Sequence, residues 1–215
     1  MVLELPIISE VGVDECGRGP LLGDCVAAAV MLPDNLDTSV CKEWEEIKDS
    51  KKVSKKKRER LATFIKEHAS AWGIGVATVA EIDSVNILQA TYLAMHRALG
   101  AVWEKQHFER IMVDGDKFRP WLPPGGGEWP LYRCLPNADA THLHVAAASI
   151  IAKVHHDNAI EKLVEEHPEL KAYGIQTNMG YGTAAHMDAL SKLGPTQWHR
   201  TSFAPVARAL AKQKE

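Results

Sequence analysis

Apolar and polar positions along the chain change period several times, and each change marks an element. Residues 7 to 14 and 24 to 32 read as two strands joined by a Gly-Arg-Gly-Pro turn; in the second, CVAAAVML is apolar on both faces and belongs inside a covered sheet. Ser54 stands as the N-cap of a helix whose Leu61, Phe64 and Ile65 fall on one side. Ala71 to Val79 reads as a third strand, and Asp83 or Ser84 as the cap of a helix to about Leu99, with Leu88, Tyr92, Met95 and Leu99 forming one stripe. Residues 109 to 113 make a short strand ending at Asp114, and Leu131 to Leu135 a fifth. Between them, RPWLPPGGGEWP (119 to 130) is too rich in Pro and Gly for regular structure; Trp121 and Trp129 pack this loop down or touch a ligand, with packing favoured. A helix from roughly Thr141 to Glu166 contains the small-residue run Val145 to Ser149, which lets its backbone lie close to the sheet, and Pro168 stops it. Helices of about Ala184 to Leu193 and Pro205 to Lys212 complete the pattern.

Strands interleaved with helices, without internal repeat or linker, describe one α/β domain: a core over 1–166 and a C-terminal helical segment over 167–215 packed on it. With 215 residues, 46% of them hydrophobic, the chain can bury one good core. No apolar run approaches the ~18 residues of a membrane helix, and the opening MVLELPIISE lacks a basic leader, so a cytoplasmic protein with no membrane partner is expected. Cys16, Cys25, Cys41 and Cys134 form no C-x-x-C pair, which argues for free thiols over zinc or a disulfide framework. The net charge of −3 argues against a nucleic-acid partner until its distribution is considered: residues 48 to 60 carry eight basic and two acidic side chains, and Lys192 to Glu215 five and one. Neither patch nor the helical cap shows a spare apolar stripe, so a monomer is expected.

Candidate chemistry concentrates in GVDECGRGPLLG (12 to 23). Asp14 and Glu15, where a strand runs out, suit a hard cation; Gly17 and Gly19 let backbone approach a ligand, and Arg18 offers a donor fork for phosphate. Asp114 and Asp139 also fall at strand ends, where open α/β sheets bind ligands. Four carboxylates brought together repel unless neutralised, so the set implies divalent cations, two of which about 4 Å apart would clamp the attacking and leaving oxygens of a phosphodiester. Magnesium suits such a site. Strand neighbours point to opposite faces, so either the Gly17 turn twists the strand or Glu15 acts partly through its carbonyl. His142, His144, His155 and His156 lack a matching distant ligand and read as packing or surface residues rather than a transition-metal site.

GVDECGRGPLLG, KDSKK (48 to 52), EIDSVNILQATYLAM (81 to 95), MVDGD (112 to 116), AAASIIAKV (146 to 154), MGYGT (179 to 183) and HRTSFAPV (199 to 206), in this order, resemble the type 2 ribonuclease H family, particularly bacterial-type ribonuclease HII. The resemblance spans nearly the whole chain. It implies a ribonuclease H-like fold, a five-stranded mixed sheet flanked by helices with a C-terminal helical cap. It also implies an endonuclease that uses Mg²⁺ or Mn²⁺ in a two-metal mechanism, cuts the RNA strand of RNA/DNA hybrids and nicks duplex DNA 5′ to embedded ribonucleotides, leaving 3′-hydroxyl and 5′-phosphate ends. By this similarity the catalytic and metal-binding acids are Asp14, Glu15, Asp114 and Asp139, Gly17, Arg18 and Gly19 read the 2′-hydroxyl, and Tyr181 senses the junction. Lys51 and Lys52 hold phosphate, as do Ser202 and Arg200. The chain departs from the family pattern at Asn178, Met179, Asn137 and Ala138, where basic residues or glycine are usual. At His156 the usual arginine becomes a group that titrates near neutrality, so weaker and more salt- and pH-sensitive binding is expected. The alternatives are a sibling ribonuclease H requiring runs of ribonucleotides, and a catalytically silent hybrid-binding protein.

Overall fold

Val11 and Val13 alternate with Gly12 and Asp14 along β1 (Glu10–Cys16), which lies at the centre of the sheet. In the computed structural model the described residues are 9–34, 36, 42–48, 50 and 53–213. β1 pairs antiparallel with β2 (Cys25–Met31), whose seven residues are all buried, and β2 pairs antiparallel with β3 (Ala71–Ala77). On its other edge β1 runs parallel to β4 (Arg110–Asp114), and β4 parallel to β5 (Leu131–Leu135). The order β3-β2-β1-β4-β5 makes a five-stranded mixed sheet, in which three neighbouring strands end on the same side.

Helices cover both faces, as the two-sided apolar pattern of β2 demands. Between α1 (Glu43–Glu46) and the C-terminal elements come α2 (Lys55–His68), α3 (Val79–Val85), α4 (Ile87–Trp103) and α5 (Leu143–Glu166). Val11, Val13, Ala27 and Ala29 meet Ala94, Met95, Ala98 and Leu99 of α4 on one face. Val26, Ala28 and Val30 meet Leu61 and Ile65 of α2 and Ala147, Ile150 and Ile151 of α5 on the other. The α5 backbone comes so close to β1 that a Cβ on Gly12 would stand 2.5 Å from the carbonyl carbon of His144 and the nitrogen of Val145. Gly12→Ala is therefore expected to cost about 2 kcal/mol or more, because backbone rather than a pliable side chain must move; a urea unfolding midpoint unchanged from the parent would contradict this contact.

The structure corrects some local expectations. β1 extends to Cys16, so Asp14 and Glu15 lie within the strand rather than past it. Neither Asp83 nor Ser84 caps the long helix: a Thr78–Glu81 capping box starts α3, and Asn86, at φ 70°, accepts from the amides of Leu88 and Gln89 to start α4. Ser54 occupies the N-cap of α2 without a side-chain capping bond. Trp121 packs against Trp103 and Phe108, while Trp129 is exposed. Pro168 opens a 3-10 turn (Pro168–Tyr173) that leads to α6 (Ile175–Asn178), α7 (Ala184–Leu193) and α8 (Ala204–Lys212). Leu170, Tyr173, Ile175 and Ala189 close over Ile160, Val164 and Leu22, which seats this segment on α5 and on the turn after β1. Among the described residues no helix is long and apolar enough to cross a membrane, and Cys16, Cys25 and Cys134 are free; Cys41 lies outside the described residues.

Candidate active site

One cleft of about 400 Å³ is lined by Asp14, Glu15, Asp114 and Asp139 together with Cys16 to Gly19, Ser50, Ser149, Lys153 and Tyr181. The parallel pairing explains the convergence: Val13 faces Val113, so Asp14 and Asp114 follow side by side on adjacent strands. Asp114 then accepts a 2.6 Å bond from the amide of Ala138, which fixes the 3-10 turn (Ala138–Ala140) that carries Asp139. Asp14 points to the α5 side, where Ser149 hydrogen-bonds it, and it also accepts from the amide of Glu15 at 2.7 Å. Glu15 points the other way, as strand pleating requires, yet still lines the cleft beside Arg18, whose guanidinium donates to it at 3.1 Å.

Burial, first, and then the charges of Glu15 and Asp114 push the Asp14 carboxyl well above the usual carboxylate range. Burial also raises Glu15, against the opposing pull of Arg18. Among the described residues no three His, Cys, Asp or Glu side chains form a ready-made metal cage. The donor chemistry nonetheless suits a hard cation: oxygen ligands only, in one cleft, with Asp14 held against like charge. The thiols offer nothing comparable, since burial pushes Cys16 up to about 12.

Gly17 and Gly19 lie in the cleft wall, and a Cβ on Gly19 would stand 3.2 Å from the ring of Tyr181, which is itself 41% exposed and free to meet a ligand. Three expected binding residues stand elsewhere or act otherwise. Arg200 is fully buried and does not reach the cleft: its guanidinium donates to the carbonyls of Gly17, Arg18, Gly23 and Asp24 at 2.6 to 3.2 Å. Ser202 donates its hydroxyl to Asp83, as does Thr201, which ties α8 to α3. His156, expected to meet substrate, is 1% exposed, bonds Asp157 and packs under Gly17, so it does not reach the cleft surface itself. Lys51 and Lys52 lie outside the described residues. Much of the neighbouring basic run is already paired: Lys55 with Glu161, Lys57 and Arg60 with Glu46, and Arg58 with the carbonyls of Ser50 and Val53.

Ser149, Lys153 and Ser50 were missed by the motif reading. Ser149, Lys153 and Asp157 recur every fourth residue of α5, a polar stripe beside the small-residue run that is legible in the sequence. In the structure Lys153 bonds Asp157 at 2.7 Å, and the hydroxyls of Ser149 and Ser50 lie 3.0 Å apart.

A family model described as Ribonuclease HII matches residues 11–206. The chain belongs to the ribonuclease HII family. The ribonuclease HII of Paramagnetospirillum magneticum is 47% identical over 198 residues, covering 92% of this chain and 90% of that protein. That of Sphingopyxis alaskensis is 44% identical over 200 residues, again covering 92% and 90%. The crystal structure of the ribonuclease H2 from Pyrococcus horikoshii shares the fold with a TM-score of 0.74 at 25% identity, over 97% of this chain and all of that one. As a ribonuclease HII family member the protein is an endonuclease, a hydrolase acting on the RNA of RNA/DNA hybrids.

Proposed function

We propose that this endonuclease nicks duplex DNA on the 5′ side of an embedded ribonucleotide, as well as cutting hybrids, and leaves 3′-hydroxyl and 5′-phosphate ends. The observation that carries this reading is the meeting, in one cleft, of four carboxylates with Gly17, Arg18, Gly19 and Tyr181. Backbone at the two glycines can approach a ribose edge, and the 2′-hydroxyl is the group that tells RNA from DNA. Tyr181, in the same cleft, would lie over the sugar of the next nucleotide, where an additional 2′-hydroxyl would crowd its ring. Arg18, half exposed and anchored by Glu15, presents its guanidinium to phosphate. Asp14, Glu15, Asp114 and Asp139 would hold Mg²⁺ or Mn²⁺. Divalent cations held there would supply the activation of water and the charge neutralisation that phosphodiester hydrolysis needs. Asp14, central to the set, orients that attack, while Ser149 and the Glu15 amide hold its carboxylate in place.

A DNA duplex carrying one ribonucleotide tests the assignment. Nicking with Mg²⁺ or Mn²⁺ and none in EDTA is the expected outcome. Cleavage confined to long hybrids would favour the sibling that requires runs of ribonucleotides, and binding without cleavage a silent binder. Tyr181→Ala should lower kcat/KM on the single-ribonucleotide duplex by about tenfold, the scale of one lost stacking contact, and lower it less on a uniform hybrid.

A further inference from the structure

Two buried histidines stand behind Tyr181, far from any role in the carboxylate cluster. His186, on α7, is 0% exposed and His199 1%, and their Nε2 atoms lie 3.0 Å apart. The groups at either end fix both tautomers. The amide of Thr196 can only donate, and it does so to Nδ1 of His199 at 3.0 Å; that ring therefore carries its proton on Nε2. This proton goes to Nε2 of His186, whose own proton must then sit on Nδ1, 3.0 Å from the carbonyl of Tyr181, which can only accept. The result is a one-way chain from Thr196 through two neutral rings to Tyr181. Burial, and for His199 also the neighbouring ring, lowers both imidazoles, His199 to about 4, so the neutral forms this chain needs hold at neutral pH. The Tyr173 ring shields the pair, 5.1 Å from His199 and 6.0 Å from His186.

We infer that the His199–His186 pair is the positioning device of the Tyr181 junction reader, and so sets how strongly the enzyme prefers an isolated ribonucleotide over a continuous RNA strand. The Tyr181 carbonyl accepts from the amide of Thr183 at 2.8 Å as well as from His186, so both of its acceptor directions are used and the peptide cannot rotate without losing one. His199 is also well placed to coordinate the two halves of the reader. It bridges to Leu22, and its chain neighbour Arg200 holds the carbonyls of Gly17 and Arg18. One dipeptide thus sets the Gly-Arg-Gly wall on one side and Tyr181 on the other, so close that a Cβ on Gly19 would stand 3.2 Å from the ring. The inference rests on the junction role proposed for Tyr181.

The two isosteric halves of the imidazole can be removed separately. His186→Asn keeps an amide donor near the Nδ1 position and so keeps the bond to Tyr181; His186→Gln places its amide near Nε2, toward His199, and loses that bond. His186→Asn leaves the Nε2–H of His199 without its partner, whereas His186→Gln leaves the Tyr181 carbonyl its bond from Thr183, so the Asn variant should be the less stable in urea and yet the one that keeps the ratio. The readout is the ratio of kcat/KM for a duplex with one ribonucleotide to kcat/KM for a uniform RNA/DNA hybrid, with Tyr181→Ala measured alongside. His186→Gln should lower the ratio roughly five- to tenfold, the scale of one lost hydrogen bond, and His186→Asn should stay near the parent. Equal ratios for the two variants, with Tyr181→Ala still lowering it, would overturn the relay alone. A ratio unmoved by Tyr181→Ala would instead overturn the junction role on which the relay depends.

Discussion

Replacing Asp14 by Asn is expected to lower hydrolysis of an RNA/DNA hybrid by roughly a thousandfold or more, the scale seen when a group acting mainly in the transition state is lost. Affinity for the hybrid, measured without divalent cation, should be retained or rise, because a negative charge leaves the cleft. The same change should raise the thermal midpoint of the metal-free protein at neutral pH. Asp14 is raised in the folded state by burial and by Glu15 and Asp114, so the folded chain holds that proton more tightly than the unfolded one. Its contribution is then most favourable below the unfolded value of 3.8 and is lost as pH rises through the higher folded value. Asn removes the ionisation and with it the loss. Mg²⁺ or Mn²⁺ should raise the midpoint of the parent by mass action and that of Asp14→Asn much less. A midpoint lowered by the substitution, or a cation response the same in both proteins, would show that Asp14 is not the charge the cleft is built to neutralise.

Arg200→Met is expected to cost roughly 3–5 kcal/mol of stability, comparable to breaking a buried charge network. The guanidinium is fully buried and satisfies four main-chain carbonyls between Gly17 and Asp24, while burial draws it down to about 10, still charged at neutral pH. Met replaces only its aliphatic stem and leaves those carbonyls without their donor. Arg200→Lys restores a charge with three donors on a narrow head and should recover only part of the loss. If Arg200 gripped phosphate instead, the Met variant would unfold at the parent urea midpoint and show a binding curve less steep in salt by about one ion.

The parts of this molecule visible in its sequence are those fixed by near neighbours. Short apolar and β-branched runs located the five strands, and acids in or near their last residues located the cleft, because both depend on roughly where a strand stops. The start of α3 is equally legible in the Thr78-x-x-Glu81 spacing, a capping box that outweighs Asp83 further along. Asp83 is held by Thr201 and Ser202, more than a hundred residues away, and no local pattern shows this. Arg200 and His156 were misassigned for the same reason. A basic residue in a family motif reads as a phosphate ligand until the fold shows the first spent on carbonyls and the second sealed beneath Gly17. Glu15 is the opposite case: pleating made its position awkward on paper, yet the strand stays regular through Cys16 and the cleft wraps round its end.

The guanidinium of Arg200 ties a late stretch of polypeptide to the peptide groups just after Glu15. All four acids are supplied by the time residue 139 has been made, but a chain emerging from the ribosome at that length would still have slack carbonyls from Gly17 onward. The wall that follows Glu15 is therefore complete only once the C-terminal segment has closed over it.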